Sequence, residues 1–411
     1  MKICLLNYRG NMYCGGQGVY MYYLCRELLA LGHEVHAIVG PPYPELPDGV
    51  TLHKLDGLDL FLKKKDIFPK GNPFGIFKPF NLYELITSRM GHFNEMFTFS
   101  VKAFLKLKDL LPKHRFDVIH DNQTLGYGLL MMKTLNVPIV ATIHHPLPID
   151  TKSDLSQITG IRSRFKRAIM YPPFMQGIVA RRLDMVITDS KASANDIRQI
   201  FKVKLDKTRV VYCGVDTSKF SPNGYVKEPN KLIMVGRTDD RKKGVIYVLK
   251  ALKMIKDGCD VNLTIVDEVY PFSVACLLAE KYDITDRVTF TGRISTDKLV
   301  EHYGKSEIAI TSSIYEGFGL PAAEAMSCQI PVIATTGGAL PEVVKHGHTG
   351  ILVPPANASA LANAILQLVD DEPLRKQLGK AGRKRVKGNF TWQRTAQATA
   401  DVYREAIAKL H

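Results

Sequence analysis

Two glutamates, Glu316 and Glu324, flank the run Gly317-Phe318-Gly319-Leu320-Pro321. Paired carboxylates are the groups that glycoside chemistry uses for acid–base work. The residues between them indicate how such a pair is held. Gly317 and Gly319 allow close backbone approach and unusual φ values after a strand. Pro321 suits the first turn of a helix, and Ala322–Met326 are good helix formers. The unpaired N–H groups at Leu320–Ala323 then make a place for a phosphate. Glu324 falls about one turn inside that helix, within reach of ligand hydroxyls. Spacing alone leaves a plainer reading open, with Glu324 as a cap and Glu316 as a loop residue.

A second group is cationic. Gly236-Arg237 follows an apolar run, and Arg241-Lys242-Lys243-Gly244 comes shortly after. A strand end that delivers a guanidinium fork and an ammonium to one point suits a diphosphate, although an isolated R-K-K-G is also an ordinary solvated turn. His144 follows the strand pattern Val140-Ala141-Thr142-Ile143. Its neighbour His145 points to the opposite face, so the two do not make a metal pair. Gly15-Gly16-Gln17-Gly18 lacks the G-x-G-x-x-G dinucleotide fingerprint, which disfavours a nicotinamide oxidoreductase. No Asp-x-Asp or His/Cys cluster is visible, and the seven cysteines are scattered without a C-x-x-C pair. The expectation is therefore no metal, no disulfide framework and a reducing compartment.

These groups need elements to carry them. Short β-branched runs alternate with helical patterns through most of the chain, the mark of parallel sheets covered by helices. Strands are expected at Lys2–Asn7, Glu34–Val39, Asp117–His120, Pro138–Ile143, Met185–Thr188 and Arg209–Tyr212. A helix over about Val19–Leu31 ends at Gly32. The stretch from about 56 to 115 fits the alternation poorly and reads as an insertion. A turn-rich cluster at Phe220–Asn230 reads as a linker. The alternation then resumes with strands at Leu232–Val235, Val261–Val266, Arg287–Thr291, Glu307–Thr311 and Pro331–Ala334, and with a helix at Pro321–Ser327. The expected organisation is an α/β chain of two Rossmann-like, doubly wound domains, 1–222 and 223–390, facing a cleft. A last helix is expected over 391–411.

Apolar residues make up 45% of the 411 and charged residues 23%, which excludes wholesale disorder. No run is long and apolar enough to span a bilayer, and the N-terminus does not read as a secretory signal. The formal net charge is +15, and residues 1–222 hold 30 Lys and Arg against 19 Asp and Glu. Such an excess suits an anionic partner. Ile161–Leu183 carries Arg162, Arg164, Lys166, Arg167, Arg181 and Arg182 among apolar residues. Lys63, Lys64, Lys65, Lys70 and Lys78 lie beside Phe61, Phe68, Phe74, Phe77 and Phe80. Peripheral contact with an anionic membrane is the expected use. No nucleic-acid module is visible. The expected location is the cytoplasm, with the inner face of the cell membrane as the contact surface.

The run from Glu316 to Glu324, with Gly-Phe-Gly-Leu-Pro between, resembles the signature of the family-four retaining glycosyltransferases of the GT-B fold. Other blocks fall in the family's order: Gly15-Gly16, His144, Asp189-Ser190, Cys213-Gly214-Val215-Asp216, Gly236-Arg237 to Lys243-Gly244, and Gly337-Gly338 to Val353-Pro354. One departure is Cys213, where members usually carry Asn. The resemblance implies a nucleotide-sugar donor held mainly by the second half. Arg237 and Lys243 would meet the diphosphate, Glu324 the ribose, and Glu316 the hexose, with backbone of Gly317, Phe318, Gly319 and Leu320 assisting. Gly16 would approach the donor or acceptor through its amide, and His144 would position the transferred sugar. It further implies retention at the anomeric carbon, no cofactor beyond the nucleotide-diphosphate sugar, a first half that binds a glycan or lipid-linked acceptor, and a C-terminal helix, 391–411, that crosses back to the first domain. A nucleotide-sugar epimerase on the same fold and a non-catalytic nucleotide- or glycan-binding protein are the alternatives.

Overall fold

The structure is a computed structural model that describes residues 1–11, 16–58, 77–90, 92, 94–149, 174–270 and 272–410. The chain forms two compact units. The first gathers Met1–Asp189, Ser193–Val211 and the chain from Thr395 onward; the second gathers Ser190–Ala192 and Tyr212–Arg394. The division at Val211/Tyr212 precedes the turn-rich cluster that the sequence offers as a linker.

The first unit is built on a seven-stranded parallel sheet. Its strands are β1 (Lys2–Asn7), β2 (Glu34–Val39), β3 (Thr51–Lys54), β4 (Val118–Asn122), β5 (Ile139–Thr142), β6 (Met185–Thr188) and β7 (Thr208–Val210). They lie in the order β3-β2-β1-β4-β5-β6-β7. The central strands are apolar runs because helices cover both faces, and Ile3, Leu6, Ile38, Ile119 and Ile139 have no exposed surface. Burying each such side chain stabilises by about 1.5–3 kcal/mol.

Helix α1 (Gly16–Ala30) follows β1. Helices α2 (Pro79–Arg89) and α3 (Glu95–Leu110) come from the segment read as an insertion. That reading is corrected for α3. Met96, Phe99, Ala103, Leu107 and Leu110 recur every three or four positions and, with Phe104 beside them, are buried in the first unit's core, so this helix covers the sheet as the others do. Residues 59–76, with Lys63, Lys64, Lys65 and Lys70, and residues 150–173, with Arg162, Arg164, Lys166 and Arg167, lie outside the described residues, as does Gly15.

The second unit repeats the plan with six parallel strands: β8 (Lys231–Val235), β9 (Asn262–Val266), β10 (Val288–Phe290), β11 (Ile308–Thr311), β12 (Val332–Thr335) and β13 (Gly350–Val353). Their order is β10-β9-β8-β11-β12-β13. Helix α4 (Val245–Ile255) follows β8, and α5 (Leu320–Ser327) follows β11. In this sheet the strand order reverses between β8 and β11, and in the first between β1 and β4. Open α/β sheets bind ligands at the carboxyl ends of strands beside such a reversal.

Helix α6 (Trp392–Leu410) starts in the second unit and belongs to the first from Thr395 on. Ala396, Thr399, Ala400, Tyr403 and Ala406 are its buried stripe. Tyr403 Oη hydrogen-bonds His120 Nδ1 on β4, and His120 Nε2 lies 2.7 Å from Thr142 Oγ1 on β5. The helix thus carries a polar partner to the middle of the first sheet. No helix among the described residues is long and apolar enough to cross a membrane.

Candidate active site

In the second unit the two loops beside the strand reversal are tied to each other. After β8, Gly236 takes a φ of +153°. A short turn over Arg241–Lys243 follows, capped by Asp240, whose Oδ1 accepts from Lys242 N at 3.0 Å. Gly244 ends the turn with a φ of +70°, and a Cβ there would lie 2.1 Å from the Ser312 carbonyl oxygen after β11. Only glycine permits that approach. Ser312 Oγ donates to Lys243 O at 2.8 Å, and Ile314 N donates to Lys242 O at 2.7 Å. Lys243 is therefore fixed against the loop that carries the carboxylates.

Lys243 Nζ lies 2.6 Å from Glu316 Oε1, and its stem packs at 3.4 Å from where a Gly236 Cβ would be. Ser313 Oγ donates to the same Glu316 oxygen at 2.7 Å. Burial alone would push the Glu316 carboxyl upward. The Lys243 charge and the two hydrogen bonds outweigh it and hold Glu316 below the usual carboxylate range. Behind the loop, Gly338 takes a φ of +59°, and a Cβ there would meet the Glu316 carbonyl oxygen at 2.2 Å.

Helix α5 starts next to this pair. Gly319, at φ +101°, is its N-terminal flank, and Pro321 lies in its first turn as the sequence predicts. The Phe318 ring is core: it is buried edge-on against Phe390, with centroids 5.5 Å apart. Only its backbone can serve a ligand. Glu324 receives the Tyr303 hydroxyl at 3.3 Å. Burial raises its carboxyl to about 8, against the smaller opposing pull of that hydrogen bond. The two glutamates thus differ at neutral pH, Glu316 ionised against a lysine and Glu324 protonated.

Arg237 is about two-thirds exposed and forks onto Asp239, with Nε at 3.2 Å and Nη2 at 2.9 Å. Its loop is anchored by Thr238, whose N and Oγ1 donate to Asp267 Oδ2 at 2.6 and 2.8 Å. The structure thus brings Lys243, Glu316, Gly319 and Leu320 together beside β8 and β11. Arg237 stands on the same strand end with an acid as its present partner.

The first unit holds His144 just beyond β5. Its Nδ1 is 2.6 Å from Asp189 Oδ2 and its Nε2 is 2.9 Å from Asn122 Oδ1. Asn122 Nδ2 donates to the Gln17 carbonyl at 3.1 Å, which fixes the amide's orientation. His144 N donates to Gln123 Oε1 at 2.7 Å, and the Tyr20 ring stands edge-on 4.9 Å from the imidazole. Gly16 is the exposed first residue of α1. The steric need for glycine in that segment is visible at Gly18, where a Cβ would lie 2.5 Å from the Asn11 carbonyl oxygen. Tyr303, Asn122 and Gln123 are site neighbours that reading the sequence did not single out.

Comparison with known proteins follows the same division. Residues 14–219 match the family model "Glycosyltransferase Family 4", and residues 215–385 match "Glycosyl transferases group 1". The chain is 38% identical to the MMP alpha-(1->4)-mannosyltransferase of Mycolicibacterium hassiacum, covering 100% of this chain and 99% of the relative. The chain belongs to glycosyltransferase family 4.

It is also 28% identical to the glycogen synthase of Mycobacterium tuberculosis, over 95% of this chain and 91% of that one. Among solved structures, this transferase is similar to a sucrose-phosphate synthase of Thermosynechococcus elongatus, with a TM-score of 0.75, 25% identity and full coverage of both chains. An Anabaena protein solved with UDP-glucose matches with a TM-score of 0.69 over 98% of this chain and all of that one, at 18% identity. The fold is GT-B, with two Rossmann-like units, and the enzyme is a retaining hexosyltransferase as its family implies.

Proposed function

We propose that this transferase moves a hexosyl group, with mannose as the first candidate, from a nucleoside-diphosphate sugar to a hydroxyl of a glycan or glycolipid acceptor. Mannose is supported by the full-length similarity to the mycobacterial mannosyltransferase. The observation that carries the donor assignment is the Lys243–Glu316 pair, held at 2.6 Å beside the start of α5 at the strand reversal. A diphosphate would draw Lys243 and Arg237 from their present carboxylate partners, and the freed Glu316 would accept from the sugar hydroxyls. Glu324 would take the ribose. Leu320–Ala323 amides would meet the remaining phosphate charge, with Gly317, Phe318, Gly319 and, from the first unit, Gly16 contributing backbone groups.

In the reaction the bond from the anomeric carbon to the diphosphate oxygen breaks, and the acceptor oxygen bonds to the same face of that carbon. The acceptor's proton passes to the leaving phosphate oxygen, which conserves the anomeric configuration. Lys243 and Arg237 neutralise the charge that develops on the diphosphate. Preorganised stabilisation of this kind is worth about 2.7–4 kcal/mol per donor lost. His144, clamped by Asp189 and Asn122, would position the transferred sugar. Because two side-chain cations meet the diphosphate, we propose that transfer needs no divalent metal, and the rate should survive EDTA.

The test is calorimetry with UDP, GDP and ADP, followed by acceptor-dependent turnover with the sugar of the base that binds. Glu316→Gln and His144→Ala should keep nucleotide binding and lose turnover, and the product should show the donor's anomeric configuration by NMR. Release of a rearranged sugar without acceptor would instead favour an epimerase. The basic first half and its aromatic neighbours support a lipid-linked acceptor at an anionic membrane.

A further inference from the structure

Away from the carboxyl ends of the strands, the first unit gathers imidazoles from three separate segments. Glu34 opens β2, His36 follows two residues on and shares its face, His53 stands on β3, and His114 lies between α3 and β4. One carboxylate oxygen of Glu34, one ring nitrogen of His36 and one of His114 all lie within 4.8 Å of one another. Glu34 Oε1 is 2.9 Å from His36 Nε2, and His36 Nδ1 is 3.0 Å from His53 Nε2. The His36 and His114 ring centroids are 4.6 Å apart at 60°, and the Phe116 ring closes one side, edge-on to His36 at 5.1 Å.

We propose that Glu34, His36 and His114 form a site for a divalent transition metal of the zinc, cobalt and nickel class, with His53 as the outer partner that orients His36. Two imidazoles and one carboxylate are the donor set such ions favour, and the remaining positions go to water. The hydrogen-bond pattern fits the exchange. On binding, His36 would turn a bare Nε2 to the ion in place of its contact with Glu34 and carry its single proton on Nδ1, donating it to His53 Nε2. Metal-bound histidines commonly hold an outer acceptor in this way. Glu34 and His114 keep the site open to solvent, while His36 is buried. Lys2 Nζ, 3.0 Å from Glu34 Oε1, is the group a cation must displace. The bound ion would clip β2 to the connection that leads into β4, strengthening the first unit at a distance from the transfer chemistry.

The test uses the tag-free full-length chain, stripped of metal and titrated with Zn2+ by calorimetry and with Co2+ by visible absorption. One ion per chain is expected, with a thermal midpoint that rises on adding Zn2+. His114→Ala and Glu34→Gln should each abolish the calorimetric signal and the rise, while their metal-free melting stays close to that of the parent. His53→Ala should weaken binding by about 10–100-fold, as for other outer partners. Lys2→Met should tighten it, and His348→Ala, an exposed control, should change nothing. Absence of binding at millimolar zinc, or binding that His114→Ala leaves intact, would overturn the proposal.

Discussion

Lys243 and Glu316 answer each other's charge in a largely buried place, so each is a liability without the other. Removing one partner of such a pair typically costs about 3–5 kcal/mol because the other charge stays behind. Lys243→Ala should therefore lower the second unit's stability by about 3 kcal/mol, and Lys243→Met with Glu316→Gln should recover most of the loss; urea unfolding of the three chains checks this. Glu324 makes the opposite case. Its carboxyl is raised to about 8 in the folded chain from an ordinary 4.5, so the unfolded chain ionises first as pH rises. Stability is lost progressively between pH 4.5 and 8 and levels off above. Glu324→Gln should flatten that limb and gain about 2 kcal/mol near pH 8, less than full burial would give at roughly 1.4 kcal/mol per pH unit, because the side chain keeps some exposure. Denaturant midpoints across that range would show it. The chemistry legible in the sequence was that packed into one segment, from Glu316 to Glu324. The clamp around His144 was not, because Asn122, Gln123 and Asp189 come from other strand ends and meet the imidazole only when the sheet forms.

Elements hold these side chains by close backbone contacts. Gly244 is the position where the loops after β8 and β11 touch, so Gly244→Ala combines a left-handed φ with a clash on Ser312 O. It should cost at least about 2 kcal/mol and weaken nucleotide binding, since Lys243 moves with the turn; melting and calorimetry on the same variant would show both. Helix α6 is tied in by Tyr403. Tyr403→Phe leaves a buried His120 nitrogen without its partner and should cost about 1–3 kcal/mol, measurable by denaturant unfolding. Most strands were readable because a run buried on both faces is apolar throughout. Two were not. β3 reads Thr51-Leu52-His53-Lys54 at a half-exposed edge, and β13 follows a Gly-rich connection without a turn cluster to announce it. Helix α3 hid for a different reason: Lys102, Lys106 and Lys108 interrupt its apolar residues along the sequence, so the segment looks like a basic insertion until the three-and-four spacing is followed.

At the scale of the whole molecule, the +15 charge and its concentration in the first 222 residues set how the protein meets large anions. Vesicles rich in anionic lipid should pellet the chain at low salt and release it as salt rises, because screening acts over about 8 Å at physiological ionic strength. Neutral vesicles should leave it in solution. Pelleting that ignores lipid charge would remove the membrane part of the proposed function and leave the donor site untouched. The two-sheet plan was legible because the strand–helix alternation stops and restarts in the sequence. The course of the closing helix was less so, since Trp392–Leu410 has the same amphipathic spacing whichever sheet it covers.

That helix also fixes an order of events during synthesis. The first unit draws its residues from Met1–Asp189, from Ser193–Val211 and again from Thr395 onward, so the ribosome delivers its last piece only after the whole second unit has been made. Until then His120, at the centre of the nascent sheet, lacks the phenol that satisfies it, and the part of the first unit that the α6 stripe covers stays bare. The second unit is contiguous apart from three residues and can mature as it emerges. The half that is translated first is therefore completed last, and a chain ending at residue 394 and released from the ribosome should be cut by protease in its early half while its later half resists.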